Sequence, residues 1–300
     1  MSTWLTDTTV AHLRDVADWP DLGERYEVLE RIGRGGMGVV YAARDHVLER
    51  DVAIKVLDSP AASWLSQDEA RILGRLEHPG IVPVHDAGPL PDGRVFYVMK
   101  LVRGERLDVA LDSRASLGDR LELFLRICDA VSFAHAPGVV HRDLKPENIM
   151  LGRFGEVLVM DWGVAKLLQQ SERDDVIVGT PGFMAPEQAV GDGVNVDTRA
   201  DVYALGAILT GMLPQPPPRP LAAIARRAQA ERRDQRYDAV TALAAEVVRF
   251  RDGDPVDAYR ESLIERLGRV YRRYRLPILL VLAYMAMRML LLLWTGRPWL

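Results

Sequence analysis

The sequence predicts a two-lobed α+β fold, with a small β-rich lobe, a larger helical lobe and a hydrophobic helix at the C-terminus. Three observations carry this expectation. Short runs of β-forming residues alternate with turns from Arg25 to Leu101. After Arg103-Gly104, apolar residues recur at helical spacing over longer stretches. From Leu276 to Trp294 a run of nineteen residues is almost entirely apolar, close to the ~20 that a membrane-crossing helix needs.

Taken in order, Met1 to Leu22 reads as a polar extension with a short helix around Val10 to Ala17. Strands are expected over Tyr26–Ile32, Val39–Arg44 and Asp51–Val56, the first two joined by a Gly-rich turn as an antiparallel hairpin. Ser66 to Leu76 reads as a helix capped by Ser66, with Glu69 in its first turn and His78-Pro79-Gly80 ending it. Two further strands, Ile81–Val84 and Val95–Leu101, complete the small lobe. In the second lobe, Leu121, Phe124, Leu125, Cys128, Val131 and Phe133 mark a core helix over Leu117 to Ala136. Ile149–Leu151 and Val157–Met160 read as strands bracketing a Gly turn. Asp201 to Met212 reads as a buried helix, Pro214 to Pro220 as an interruption, and Leu221 to Phe250 as an amphipathic helix.

Composition narrows the function. The chain has 300 residues, 48% hydrophobic and 27% charged, with a net charge of −4, so it has room for a substantial core and no general affinity for nucleic acid. Eight Arg and two Glu lie between Arg260 and Leu300, a local +6 that leaves about −10 on residues 1–259. Basic residues beside an apolar segment mark its cytoplasmic flank in membrane proteins. Cys128 is the single cysteine, which excludes an intramolecular disulfide and a multi-cysteine metal site; its apolar helical setting reads as a buried thiol. Met1 to Asp18 lacks an apolar run, so no secretory signal is expected and a cytosolic setting fits.

The chemistry sits in a few short stretches. Gly33-Arg34-Gly35-Gly36-Met37-Gly38-Val39-Val40 fits G-x-G-x-x-G-x-V between two strands. Glycines there let the backbone close over phosphate groups. A plain Gly-rich hairpin or a dinucleotide fingerprint competes, the latter weakened because a strand follows the glycines. Lys55, on the apolar strand Val52-Ala53-Ile54-Lys55, calls for an anionic partner, because burying an unpaired ammonium is costly. Glu69 or phosphate groups would serve, and an edge-strand lysine in water is the alternative. His141-Arg142-Asp143-Leu144-Lys145-Pro146-Glu147-Asn148, then Asp161-Trp162-Gly163 and Ala185-Pro186-Glu187, hold a proton acceptor, hard oxygen donors and a cation within a short span. Phosphoryl transfer needs those groups for positioning and charge neutralisation.

Together these motifs resemble the protein kinase family over roughly Arg25 to Phe250. Lys145 two residues after Asp143 looks like the serine/threonine class, and Gly179 to Glu187 looks most like bacterial, eukaryotic-like serine/threonine kinases. The resemblance implies the two-lobed kinase fold and the cofactors ATP and Mg²⁺, with Mn²⁺ as a substitute. It implies that Asp143 is the catalytic base and that Lys145 contacts the γ-phosphate and the attacking hydroxyl. Asn148 and Asp161 would hold the metal. The ATP site would comprise Ile32, Gly33, Arg34, Gly35, Gly36, Met37 and Gly38 of the loop, Lys55 oriented by Glu69, and Val40, Ala53 and Met150 around adenine. Met99 falls at the gatekeeper position, with Lys100 and Val102 offering backbone groups. Glu187 is expected to pair with Arg236. Partners follow as ATP, protein substrates and, as an option, a second copy of the chain. The implied activity is transfer of the ATP γ-phosphate to Ser/Thr hydroxyls, including the chain's own, in membrane-associated signalling. A tethered nucleotide-binding scaffold without turnover is the alternative.

Three departures stand out. Trp162 replaces the Phe of Asp-Phe-Gly and is expected to stack with Leu73, Val84 and His141. Ser171 and Thr180 are the hydroxyl candidates for regulation between Asp161 and Glu187; Asp174 and Asp175 could supply negative charge there, predicting weak dependence on loop phosphorylation. After Gly211 the lobe is shortened, which touches substrate docking before ATP chemistry. The expected organisation is an extension (1–24), a kinase domain (25–250, lobes about 25–102 and 103–250), a basic juxtamembrane linker (251–275), a transmembrane helix (276–294) and a tail (295–300). Arg260, Arg266, Arg269, Arg272, Arg273 and Arg275 would keep the kinase domain cytoplasmic at the lipid bilayer, and Trp294 and Trp299 suit the far interface. Arg288 would have to snorkel or pair.

Overall fold

The computed structural model describes residues 19–35, 38–58, 74, 76–110, 116–162, 166–167, 179–191 and 196–295. The strands of the small lobe are β1 (Tyr26–Gly35), β2 (Gly38–Asp45), β3 (Arg50–Leu57), β4 (Val84–Pro89) and β5 (Val95–Lys100). They form one sheet in the order β1-β2-β3-β5-β4, with every pairing antiparallel. Alternation of Val, Ile and Ala on β2 and β3 buries Val52, Ile54, Val56, Ala43 and Tyr41 against Leu90 and Val98. A buried carboxylate ties the far edge: Asp45 accepts from the Arg25 guanidinium and from the Val47 and Leu48 amides. The Ser66–Leu76 helix and the residues Gly36, Met37, Glu69, Leu73, Ser171, Asp174 and Asp175 lie outside the described residues, apart from Gly74 and Leu76.

One strand falls elsewhere than expected. Ile81 makes only an isolated parallel bridge to Val159, and pairing begins at Val84, because Pro83 has no N–H to give a ladder.

The second lobe is built from helices around short strands. Its strands are β6 (Gly104–Arg106), β7 (Val139–Val140), β8 (Ile149–Gly152), β9 (Val157–Val159) and β10 (Lys166–Leu167). Its helices are α1 (Leu107–Ala110), α2 (Leu117–His135), α3 (Pro186–Ala189), α4 (Arg199–Met212), α5 (Arg219–Ala228), α6 (Val240–Arg251) and α7 (Leu263–Thr295). α2 starts at a capping box in which the Ser116 hydroxyl accepts from the Asp119 amide and the Asp119 carboxylate accepts from the Ser116 amide. Its inner face buries Leu121, Phe124, Ile127, Cys128 and Val131 in the main core with Leu205, Ile208, Leu221, Ile224 and Leu243. Cys128 is buried and burial pushes its thiol up, as an apolar site demands.

The stretch expected as one helix over Leu221–Phe250 is two, α5 and α6, separated by a 3₁₀ turn at Arg233–Gln235. Arg236 causes the break. Its guanidinium turns inward and donates to the Ala230, Arg199 and Glu231 carbonyls and to both Glu187 oxygens, at 2.7 and 2.8 Å. The expected Glu187–Arg236 pair is therefore present.

The expected transmembrane helix is corrected: among the described residues no helix is long and apolar enough to cross a membrane. The segment lies in α7. The helix begins in polar sequence, where Ser262 and Glu265 form a cap and Glu261 pairs with Arg269. It leaves helical geometry at Tyr274 (φ −111°, ψ 18°), and Pro277 lies within it, removing a helical hydrogen bond and forcing the bend. Arg288 then divides the apolar run.

Candidate active site

The cleft side of the sheet carries the Gly-rich turn. Gly33 pairs with Val40, Arg34 with Val39 and Gly35 with Gly38. Gly38 is required for a specific reason: at φ +155° a Cβ would stand 2.1 Å from the Val56 carbonyl oxygen. No other residue lets β1–β2 fold this closely over β3. Ala53 is buried between β2 and β5, pairing with Ala42 and Met99. Ile32 and Arg34 are exposed, Val40, Met99, Val102 and Met150 are half-buried, and Lys100 is exposed. β8 brings Met150 to Leu158 and Arg106, below the strand that ends at Lys100.

Lys55 is buried on β3, and its ammonium contacts Asp161 Oδ1 directly. Tyr97, the residue opposite Lys55 on β5, places its hydroxyl 3.2 Å from the same oxygen. Burial pushes the Asp161 carboxyl up, but the Lys55 charge and the bonds from Lys55 and Tyr97 more than offset it, leaving it below the usual carboxylate range. Burial, together with the neighbouring carboxylate, holds the Tyr97 phenol well above its ordinary value, so it stays a neutral donor.

Asp143 is the hub of the catalytic loop. Its Oδ1 accepts from the Thr180 hydroxyl at 2.8 Å, and its Oδ2 lies 2.9 Å from the Lys145 ammonium. Lys145 also donates to Thr180 Oγ1 at 2.7 Å. Asn148 gives its amide hydrogens to the Asp143 carbonyl (2.8 Å) and to Oδ2 (3.3 Å). That leaves the Asn148 amide oxygen as the end a hard cation would use. Thr180, named in the sequence only as a regulatory candidate, thus lies between Asp143 and Lys145, its hydroxyl engaged by both.

The loop is held from below by α4. Asp201, fully buried, accepts from the His141 amide (2.8 Å), the Arg142 amide (3.0 Å) and His135 Nε2 (2.8 Å). Burial pushes Asp201 up, but these donors and the neighbouring histidines hold it below the usual range. The clamp keeps Arg142 at φ +70°, a left-handed conformation that a non-glycine residue needs help to hold. Gln188 Nε2 donates to the Arg142 carbonyl at 2.8 Å. His141 Nδ1 accepts from the Asp143 amide, so Nε2 carries the hydrogen donated to the Met160 carbonyl.

Trp162 is buried and stacks on His141 with ring centroids 4.6 Å apart, as the sequence led one to expect for that pair. Its indole N–H donates to the Val159 carbonyl at 3.3 Å, an anchor that phenylalanine lacks. Neither Asp201 nor Tyr97 was singled out from sequence. A buried acidic residue opening a helix was the available signal for the first; a tyrosine on an apolar strand gave none for the second.

The donors fit a divalent cation: Asp161 and Asn148 offer the oxygen atoms such a hard ion takes.

A family profile for the protein kinase domain matches residues 26–280. The chain is 34% identical over 232 residues to the serine/threonine-protein kinase PknD of Protochlamydia amoebophila, covering 65% of this chain and 23% of that protein. PknD of Chlamydia muridarum is 39% identical over 233 residues, covering 63% and 24%. The DNA damage-responsive serine/threonine-protein kinase RqkA of Deinococcus radiodurans is 42% identical over 200 residues, covering 63% and 29%. The chain spans about a quarter of the length of these curated relatives.

Proposed function

Because the chain belongs to the protein kinase family, we propose that it transfers the γ-phosphoryl group of ATP to Ser or Thr hydroxyls of proteins, including its own. The relatives it resembles carry serine/threonine kinase names. The observation that carries the reading is the convergence on Asp143 of Lys145, Asn148 and Thr180, beside the Lys55–Asp161 pair, whose strand end is tied to Asn148 by the Met160 amide.

In this reading Asp143 accepts the proton of the attacking hydroxyl. Lys145 neutralises charge on the transferring group, and its bond to Thr180 fixes where that charge sits. The Gly33–Gly38 turn covers the phosphates, Lys55 pairs with them, and Val40, Ala53 and Met150 enclose the adenine ring. Asn148 and Asp161 would hold a divalent cation, which when bound offsets phosphate charge. Thr180 holds the acceptor carboxylate through its bond to Asp143 Oδ1.

Incubation of the full chain with radiolabelled Mg·ATP and a generic protein substrate tests this. Asp143→Asn should lower label transfer by about 100-fold or more, the scale of general-base catalysis, while a fluorescent ATP analogue still binds. Equal labelling by both proteins would remove the catalytic assignment and leave a nucleotide-binding scaffold.

A further inference from the structure

Asp161 has a backbone that does not hold itself. Its φ is +60°, a left-handed conformation that costs a non-glycine residue energy and persists only where neighbours enforce it. Two side chains meet its Oδ1, the Lys55 ammonium and the Tyr97 hydroxyl. They differ in what else they must do. Lys55 is a buried cation whose charge the nucleotide phosphates would also demand. Tyr97 is a neutral phenol, buried on β5 directly across from Lys55 and packed with Leu57, Val84, Val95 and Met99. A buried phenol hydroxyl needs a polar partner, and here that partner is the carboxylate.

We propose that Tyr97 is a positioning residue for Asp161: its hydroxyl fixes Oδ1 whether or not Lys55 is engaged by phosphate, so that the other carboxylate oxygen is the one presented to the divalent cation. This rests on the kinase reading above. Side chains that orient metal-binding groups set metal affinity as well as activity, and losing one costs about 10- to 100-fold. The Tyr97 hydroxyl bonds to Asp161 Oδ1, so its effect passes through Asp161.

The test measures metal binding directly. Full-length wild type, Tyr97→Phe and Tyr97→Leu are titrated with Mn²⁺ in the presence of a non-hydrolysable ATP analogue, and bound Mn²⁺ is read by electron paramagnetic resonance. Metal-free binding of a fluorescent nucleotide and the melting temperature are recorded alongside. Tyr97→Phe should weaken Mn²⁺ binding about tenfold or more, with metal-free nucleotide affinity and melting temperature unchanged. Its turnover should fall at limiting Mg²⁺ and recover at high Mg²⁺. Tyr97→Leu, which also lacks the hydroxyl, should lose Mn²⁺ affinity by a similar factor. Wild-type Mn²⁺ affinity in Tyr97→Phe, with loss confined to Tyr97→Leu, would make the role one of packing and overturn the inference. A wild-type chain that bound no nucleotide would instead bring down the kinase reading itself.

Discussion

At Thr180 a single hydroxyl joins the two groups proposed to handle the proton and the charge, Asp143 and Lys145. It donates to Asp143 and accepts from Lys145, and hydrogen bonds to charged groups contribute about 1.5–3 kcal/mol. Thr180→Ala should therefore lower kcat by about 10- to 100-fold, and Thr180→Ser should restore most of it; steady-state kinetics with saturating ATP decides. An Ala variant as active as wild type would show the hydroxyl to be dispensable. Trp162 makes a separate prediction. Trp162→Phe keeps an aromatic ring against His141 and loses the bond to the Val159 carbonyl, so it should cost about 1 kcal/mol, read as a melting point lower by about 2–4 °C. Kinase activity should survive, because Asp161 keeps Lys55 and Tyr97.

Elements meet through glycines and one arginine. Gly206 in α4 faces α5 so closely that a Cβ would stand 2.7 Å from Ala228 Cβ and 2.9 Å from Gln229 Cγ. Gly206→Ala should destabilise by about 1–3 kcal/mol through overpacking, measured by urea unfolding; an unchanged midpoint would mean the helices can part. The Glu187–Arg236 pair is a second joint: Arg236 is buried and its donors serve Glu187 and three carbonyls. The resemblance made that pair legible, since Glu187 sits in the Ala185-Pro186-Glu187 motif. The sequence made the hairpin of β1 and β2 legible through its glycines, and α2 through its helical period. It hid the α5–α6 break, since Ala230 to Asp238 is polar without a proline and the turn comes from an arginine bonding inward. It hid Tyr97, because tyrosine is an ordinary β-former and only the sheet register sets it opposite Lys55. The apolar run Leu276–Trp294 was read from its composition, which averages over the charge at Arg288.

For the molecule as a whole, Asp201 couples the helical core to the catalytic loop, and pH reads that coupling. Its folded-state value lies below the ordinary 3.8, so the folded protein binds this proton less readily than the unfolded chain. The stabilisation is complete above that ordinary value and fades as pH falls through the depressed one. Melting temperature should therefore drop below about pH 4, and less steeply in Asp201→Asn; parallel curves would assign the acid sensitivity to other carboxylates. The short proline segment between α4 and α5 has a different bearing. Gln229, just past the end of α5, donates to the Gly206 carbonyl and to the Thr210 hydroxyl, 23 and 19 residues away along the chain, so a single short connection brings the two helices together. Closing so small a loop costs little entropy, and local contacts speed assembly. α4 and α5 should thus gain amide-exchange protection together in refolding, before β3 pairs with β5, whose partners such as Val52 and Lys100 lie much farther apart along the chain.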